Sequence, residues 1–205
     1  MLEARKLACQ KGDVRLFSGV DFALGAGELL LVQGPNGSGK TSLLRLIAGL
    51  SRPAAGELLW KGEKIGELAE DYSRALVFIG HANGLKDEFS AVENLEVAQQ
   101  MADRPAAREA IAAALGAVGL ARRLHLPSRY LSQGQKRRVA LARLWLGAEA
   151  PLWVLDEPFA ALDVAAVESL AVCLGAHLAR GGSVVLTTHQ EVPIEARTRH
   201  VVGLG

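Results

Sequence analysis

The sequence predicts an α/β fold built around a parallel sheet. Three observations predict it: short, nearly continuous apolar runs recur along the chain, stretches of helical periodicity separate them, and a glycine-rich turn links the first of these runs to a helix.

The runs are LLLVQ (29–33), ALVFI (75–79), LWVLD (152–156) and SVVLTT (183–188). A strand with one face in water alternates apolar and polar residues; these do not, so both faces are expected under cover, as in a parallel sheet flanked by helices. Between them, the alanine-rich segment after Pro105 places Ile111, Leu115 and Val118 on one stripe, and residues 135–146 place Val139, Ala142 and Leu146 on another. Such stripes face a core by default. Residues 81–147 read as mostly helical and are enclosed by the strand-bearing parts. A helical subdomain (about 81–147) is therefore expected, inserted in a core made of about 1–80 and 148–205. With 205 residues, 50% of them hydrophobic, the chain fits one domain with a substantial core. It stops soon after the strand-like HVVGLG, so no regulatory tail is expected.

A formal net charge of +1 gives no global field for nucleic acid or an anionic membrane, and the cations cluster only at Arg122-Arg123 and Lys136-Arg137-Arg138. Cys9 and Cys173 form no CxxC, which points away from a disulfide framework or zinc site and toward buried packing in a reducing cytosol. No run reaches the ~18 apolar residues of a membrane span, and MLEARKLACQ lacks the apolar stretch of a signal peptide. Work at a membrane would need a partner to supply the membrane part.

GPNGSGKTS (34–42) follows a strand and opens the helical run TSLLRLIAGL, the context that a phosphate-binding loop requires. Gly34, Gly37 and Gly39 let the backbone turn tightly enough to aim successive N–H groups at phosphate oxygens, and the helix presents its positive end. Lys40 would reach the β- and γ-phosphates, and the Thr41 hydroxyl would ligate Mg²⁺. LWVLDEP sets two carboxylates at the carboxyl end of a buried strand, where open parallel sheets bind ligands. Asp156 would hold Mg²⁺ through water, and Glu157 would orient the attacking water, since a loose phosphoryl-transfer transition state depends on positioning. In YLSQGQKRRVALARL, Ser132 and Gly134 stand at a helix N-terminus, a second anion site that the first loop does not require. Simple N-capping accounts for Ser132 but leaves Gly134 and Gln135 unexplained.

With these motifs in this order the chain resembles the ATP-binding cassette (ABC) ATPases over nearly its whole length. GPNGSGKT is similar to the family's Walker A motif, LSQGQ to its signature, LWVLDE to Walker B, ALD ending at Asp163 to the D-loop, and TTH to the switch histidine at His189. The resemblance implies a P-loop NTPase with a RecA-like core, an N-terminal antiparallel β subdomain and an inserted helical subdomain. It implies ATP and Mg²⁺ as cofactors, held by Gly34, Pro35, Asn36, Gly37, Ser38, Gly39, Lys40, Thr41 and Ser42, with Asp156 and Thr41 at the metal. It also implies a head-to-tail homodimer of cassettes, in which Ser132, Gly134 and Gln135 of one copy cap the γ-phosphate on Lys40 of the other, with Asp163 nearby. His189 would contact that phosphate and hold the water in line. The other histidines, His125, His177 and His200, read as solvated side chains.

Two positions depart from the family pattern. His81 stands where a glutamine usually touches Mg²⁺ or the water and links the nucleotide to a membrane subunit. A neutral imidazole can replace the amide's hydrogen bond, but it can also become cationic beside phosphates. Lys11 stands where an aromatic ring commonly stacks on adenine, with Phe17 the only aromatic nearby, so base selectivity is expected to loosen. Together with GHANGLKDEFSAVENL and APLWVLDEPFAALD, these departures are similar to the branch that serves cytochrome c maturation and heme export. That branch implies work that is either heme export or release of a heme-loaded periplasmic chaperone, integral membrane, heme-handling partner subunits and a peripheral place on the cytoplasmic face of the bacterial inner membrane. A direct heme ligand at His81 is disfavoured, as the chain has no CxxCH and that side chain is expected to face nucleotide. The rivals are another small transporter ATPase and a soluble ABC ATPase acting on nucleic acid; one cassette, no sustained heptads and little net charge speak against the second.

Overall fold

The computed structural model describes residues 1–205 apart from the side chain of Ala69, and its strands fall into two sheets. The first half of the chain contains β1 (Leu2–Lys11), β2 (Val14–Leu24), β3 (Glu28–Gln33), α1 (Lys40–Ile47), β4 (Ala55–Trp60), β5 (Glu63–Lys64), α2 (Ile65–Ala75), β6 (Leu76–Ile79) and α3 (Ala91–Met101). The second contains α4 (Arg108–Ala117), a 3₁₀ turn (Ser128–Tyr130), α5 (Gln133–Leu141), α6 (Arg143–Leu146), β7 (Leu152–Asp156), α7 (Val164–Ala179), β8 (Ser183–Thr187) and β9 (Thr198–Gly203). One sheet, in the order β2-β1-β4-β5, is antiparallel. The other, in the order β6-β7-β8-β3-β9, is parallel throughout.

The four apolar runs are β3, β6, β7 and β8, and their side chains divide by the two-residue period of a strand. Leu30 and Val32 of β3, Val154 of β7 and Val185 of β8 enter one core with Leu43, Leu44, Leu46 and Ile47 of α1. Their neighbours Leu29, Trp153, Leu155, Val184 and Leu186 point the other way, into a core closed by Leu170, Leu174 and Leu178 of α7. Each such side chain contributes roughly 1.5 to 3 kcal/mol by leaving water. A slip of one residue would exchange the two faces, so the register is strongly fixed. The antiparallel sheet adds Leu2, Leu7, Leu24, Leu58 and Trp60 to the first core.

A third core joins Leu95 of α3, Ile111 and Leu115 of α4, and Leu131, Val139 and Ala142 around α5. The two helical stripes of the sequence meet here, with Val118 and Leu146 packed at its margin. The helices start later than expected: residues 80–90 run irregularly, and α3 opens at Ala91 behind a capping box. In that box Ser90 N donates to Glu93 Oε2 at 2.8 Å and Glu93 N to Ser90 Oγ at 3.3 Å. Buried Asn94 then pins the preceding loop, accepting from Lys86 N at 2.8 Å and donating to Lys86 O at 3.0 Å. Because the strands are parallel, their carboxyl ends share one edge. The turns after β3, β6, β7 and β8 therefore converge there, which is where parallel sheets build sites.

Candidate functional site

The turn between β3 and α1 is held by its own lysine: Lys40 Nζ donates to Gly34 O at 2.7 Å and to Pro35 O at 3.1 Å. Gly39 begins α1 at φ 98, and a Cβ there would lie 3.0 Å from the Phe17 ring and 3.1 Å from Leu16. Only glycine meets both demands. Pro35, Asn36 and Gly37 form the exposed tip, and Ser38 Oγ beneath it is buried without a partner. Ser42, one turn into the helix, hydrogen-bonds Cys9, whose thiol is pushed up chiefly by burial. Phe17 is thus occupied as packing under Gly39, while Lys11 ends β1 exposed.

At the end of β7, Asp156 is 2% exposed and carries two hydroxyls: Thr41 Oγ1 donates to its Oδ2 at 2.7 Å and Thr187 Oγ1 to its Oδ1 at 2.7 Å. Thr187 Oγ1 in turn accepts from Glu157 N at 2.8 Å. A buried carboxylate needs such donors, and these set its orientation. Glu157 adopts φ 48, a left-handed conformation costing about 1 kcal/mol in an ordinary residue. Its Oε1 is buried, lacks a hydrogen-bond partner and stands 3.4 Å from His189 Nε2. His81 follows β6 on the exposed side and lines a cleft of about 360 Å³ with Thr41, Arg45, Asn83 and Arg143. The structure therefore groups Lys40, Thr41, Asp156, Glu157, His189 and His81 along one sheet edge.

The donor set suits a small hard cation. The Thr41 hydroxyl and the Asp156 carboxylate are hard oxygen donors, hydrogen-bonded at 2.7 Å beside the glycine-rich turn. Among the described residues no cluster of three His, Cys, Asp or Glu side chains forms. Mg²⁺ fits this pattern, since it takes one or two protein oxygens and completes its shell with water and phosphate.

Ser132, Gly134 and Gln135 lie at the start of α5. They form a capping box on α5, with Ser132 N donating to Gln135 Oε1 at 3.0 Å and Gln135 N to Ser132 Oγ at 3.2 Å. A Cβ on Gly134 would lie 2.5 Å from Ala161 O, so this tip packs directly on the turn before α7. Asp163 caps α7 by accepting from Ala166 N at 2.9 Å and pairs with Arg138. Among the described hydrogen bonds, none joins this tip to the phosphate turn of the same chain.

Two functional side chains escaped the sequence reading. Thr187, completely buried, belongs to an apolar strand run, yet its hydroxyl donates to the Asp156 carboxylate and accepts from the Glu157 backbone N–H. Arg137 stands in the sequence only as the middle of the cation cluster Lys136-Arg137-Arg138, yet it is 3% exposed and lies against the carboxylate corner. Burial pulls its guanidinium down from the usual arginine range, against the pull of Asp156 and Glu157. The missed signal is a second stripe: Arg137, Ala140, Leu141 and Leu144 share a helical face directed at the sheet, while Val139 and Ala142 face the third core. His177 also corrects the sequence reading, being 2% exposed and stacked on Trp153 at 3.8 Å rather than solvated.

Comparisons extend the geometry. The family model described as ABC transporter matches residues 17–160. A protein of Dechloromonas aromatica (strain RCB), described as cytochrome c biogenesis ATP-binding export protein CcmA, is 53% identical over 205 residues, 100% of each chain. Its counterpart of the same description in Escherichia coli (strain K12) is 47% identical over 202 residues, 98% of this chain and 95% of its own. Among solved structures, a dimeric ATP-binding cassette in a post-hydrolysis state bound to ADP and Pi is similar at a TM-score of 0.81 and 27% identity, over 93% of this chain and 88% of that one.

Proposed function

The chain belongs to the ABC transporter family, in its branch of cytochrome c biogenesis ATP-binding export proteins, and from that premise we propose how this ATPase subunit works. It binds ATP at the turn 34–42 and hydrolyses it to drive rearrangement of a membrane complex for heme export in cytochrome c maturation. The observation that carries the reading is the relay from Thr41 through Asp156 and Thr187 to Glu157, ending beside His189.

Each residue has a separate task. Lys40, released from the carbonyls of Gly34 and Pro35, neutralises the β- and γ-phosphates. Thr41 and Asp156 would hold Mg²⁺, which would supply charge neutralisation on the phosphate oxygens. Glu157 Oε1, buried and without a hydrogen-bond partner, is set to accept from the attacking water, and His189 closes on the γ-phosphate from the neighbouring strand end. His81 reads the same cleft as Thr41 and passes its state to the membrane partner. Placement dominates here, because the transition state is loose and asks for little covalent chemistry.

The helix tip Ser132-Gly134-Gln135 completes the site of a second copy, with Asp163 at the contact, so two chains close head to tail over two nucleotides. The reading is supported by the hydrogen bonds of the tip, which lie within itself and, among those described, do not reach the phosphate turn of its own chain. No helix of the described residues is long and apolar enough to cross a membrane. The membrane part therefore comes from integral, heme-handling subunits, and this chain sits peripherally on the cytoplasmic face of the bacterial inner membrane. Tagging the chain, extracting membranes in mild detergent and identifying the co-purifying proteins tests the assignment. Recovery of heme-handling subunits supports it; recovery of a different permease moves the chain to another transporter.

A further inference from the structure

Arg137 is the unusual charge of this molecule. It is nearly sealed from solvent, it forms no ion pair with a carboxylate group among the described residues, and it spends most of its donors on main-chain carbonyls. Nη2 donates to Asp156 O at 2.7 Å and Glu157 O at 2.9 Å, Nη1 to Gly80 O at 2.8 Å and Asn83 Oδ1 at 3.3 Å, and Nε reaches Pro158 O at 3.5 Å. Three segments meet at this one group. They are the corner bearing both carboxylates, the loop bearing His81, and α5, whose first turn is the Ser132-Gly134-Gln135 tip.

A buried guanidinium carries a desolvation penalty, which only a full set of acceptors offsets. The planar fork matches this need, because its donors lie in fixed directions and a lysine ammonium cannot serve the same spread of carbonyls. Glu157 departs from ordinary backbone geometry at φ 48, and such a conformation persists only where the surroundings over-determine it. The bond from Arg137 to Glu157 O and the bond from Glu157 N to Thr187 Oγ1 hold that residue from both sides.

We infer that Arg137 is a positioning residue for hydrolysis: it clamps the Asp156-Glu157 corner to the His81 loop and to the helix that caps the partner's nucleotide. It touches neither nucleotide nor water and acts through Glu157. A shift of residues 80–83 pulls on the guanidinium and so reaches the carboxylate, which gives the loop and the reaction a shared mechanical element. This rests on the ATPase reading above.

The experiment compares the native full chain with Arg137→Ala and Arg137→Lys, well below the unfolding transition of each, measuring kcat, KM for ATP and binding of a fluorescent nucleotide. The clamp predicts a fall in kcat of about tenfold or more with KM changed less than about threefold, because the lost interaction orients groups rather than holds substrate. Added ethylguanidinium should restore part of the Arg137→Ala turnover, whereas ethylammonium, equal in charge but without the fork, should not. Native kcat in either variant overturns the proposal, as does loss of kcat and nucleotide binding together without guanidinium rescue. If Arg137→Ala does not fold, Arg137→Lys carries the same comparison. If the native chain itself turns over no ATP, the ATPase reading fails and not merely the clamp.

Discussion

His189 Nε2 lies 3.4 Å from Glu157 Oε1, joining the ends of two neighbouring parallel strands. In the proposed mechanism these two groups handle the attacking water. Glu157→Gln keeps the shape and the backbone bond to Thr187 but removes the negative oxygen. ATP should still bind, turnover should drop by about a hundredfold to ten-thousandfold, and the closed dimer should accumulate. Steady-state phosphate release and gel filtration with ATP check this, and undiminished turnover would remove Glu157 from the role.

Gly134→Ala tests the helix tip. The new Cβ would meet Ala161 O at 2.5 Å, a backbone atom that cannot step aside cheaply. Overpacking of this kind costs about 1 to 3 kcal/mol, carried by the tip and the turn before α7. ATP affinity of a single chain should stay near native, since the phosphate turn is untouched. ATP-induced dimerisation and turnover should fall together, about tenfold for each 1.4 kcal/mol. Sedimentation with the Glu157→Gln background separates the two effects, and intact dimerisation would show that the tip does not meet the second nucleotide.

The sequence made the parallel core legible because strands buried on both faces leave unbroken apolar runs. The antiparallel sheet was legible through the family resemblance and not through periodicity, because charged residues line its outer face and β1 breaks its alternation at the register shift near Lys6. The phosphate turn and the two carboxylates were readable as spacing, since their chemistry is local to a few residues. Thr187 and Arg137 were not. Their partners lie 31 and 19 positions away at Asp156, and charge reads outward until the fold shows what lies opposite. His177 misled for the same reason: an imidazole in a largely apolar helix gives no sign that Trp153 lies flat against it.

That stack makes a pH prediction. Burial, with Arg180 adding to it, lowers the His177 pKa from the usual 6.5 to about 4. Below pH 6.5 the unfolded chain takes up a proton that the folded chain refuses, so stability falls as pH drops toward 4 and the loss is complete below it. Discounted for solvent and local relaxation, it is on the order of 2 kcal/mol. His177→Phe keeps an aromatic face on Trp153 without a titrating group. Urea unfolding at pH 7 and at pH 4.5 should show a smaller loss in the variant than in the native chain; equal losses would mean that His177 is already solvated.

His81 shares a cleft with Thr41 and follows directly on Gly80, whose carbonyl accepts from Arg137. Glutamine at this position can donate and accept as a neutral imidazole does but cannot become cationic. His81→Gln in the isolated chain should therefore keep basal ATP turnover within about threefold of native, because the metal-side residues Thr41 and Asp156 are unchanged. The change should appear in the membrane complex, where stimulation of turnover by the partner subunits weakens. Paired assays of the isolated chain and the detergent-extracted complex decide the matter. If nucleotide binding itself disappears in the isolated variant, His81 belongs to the binding apparatus and the coupling role is wrong.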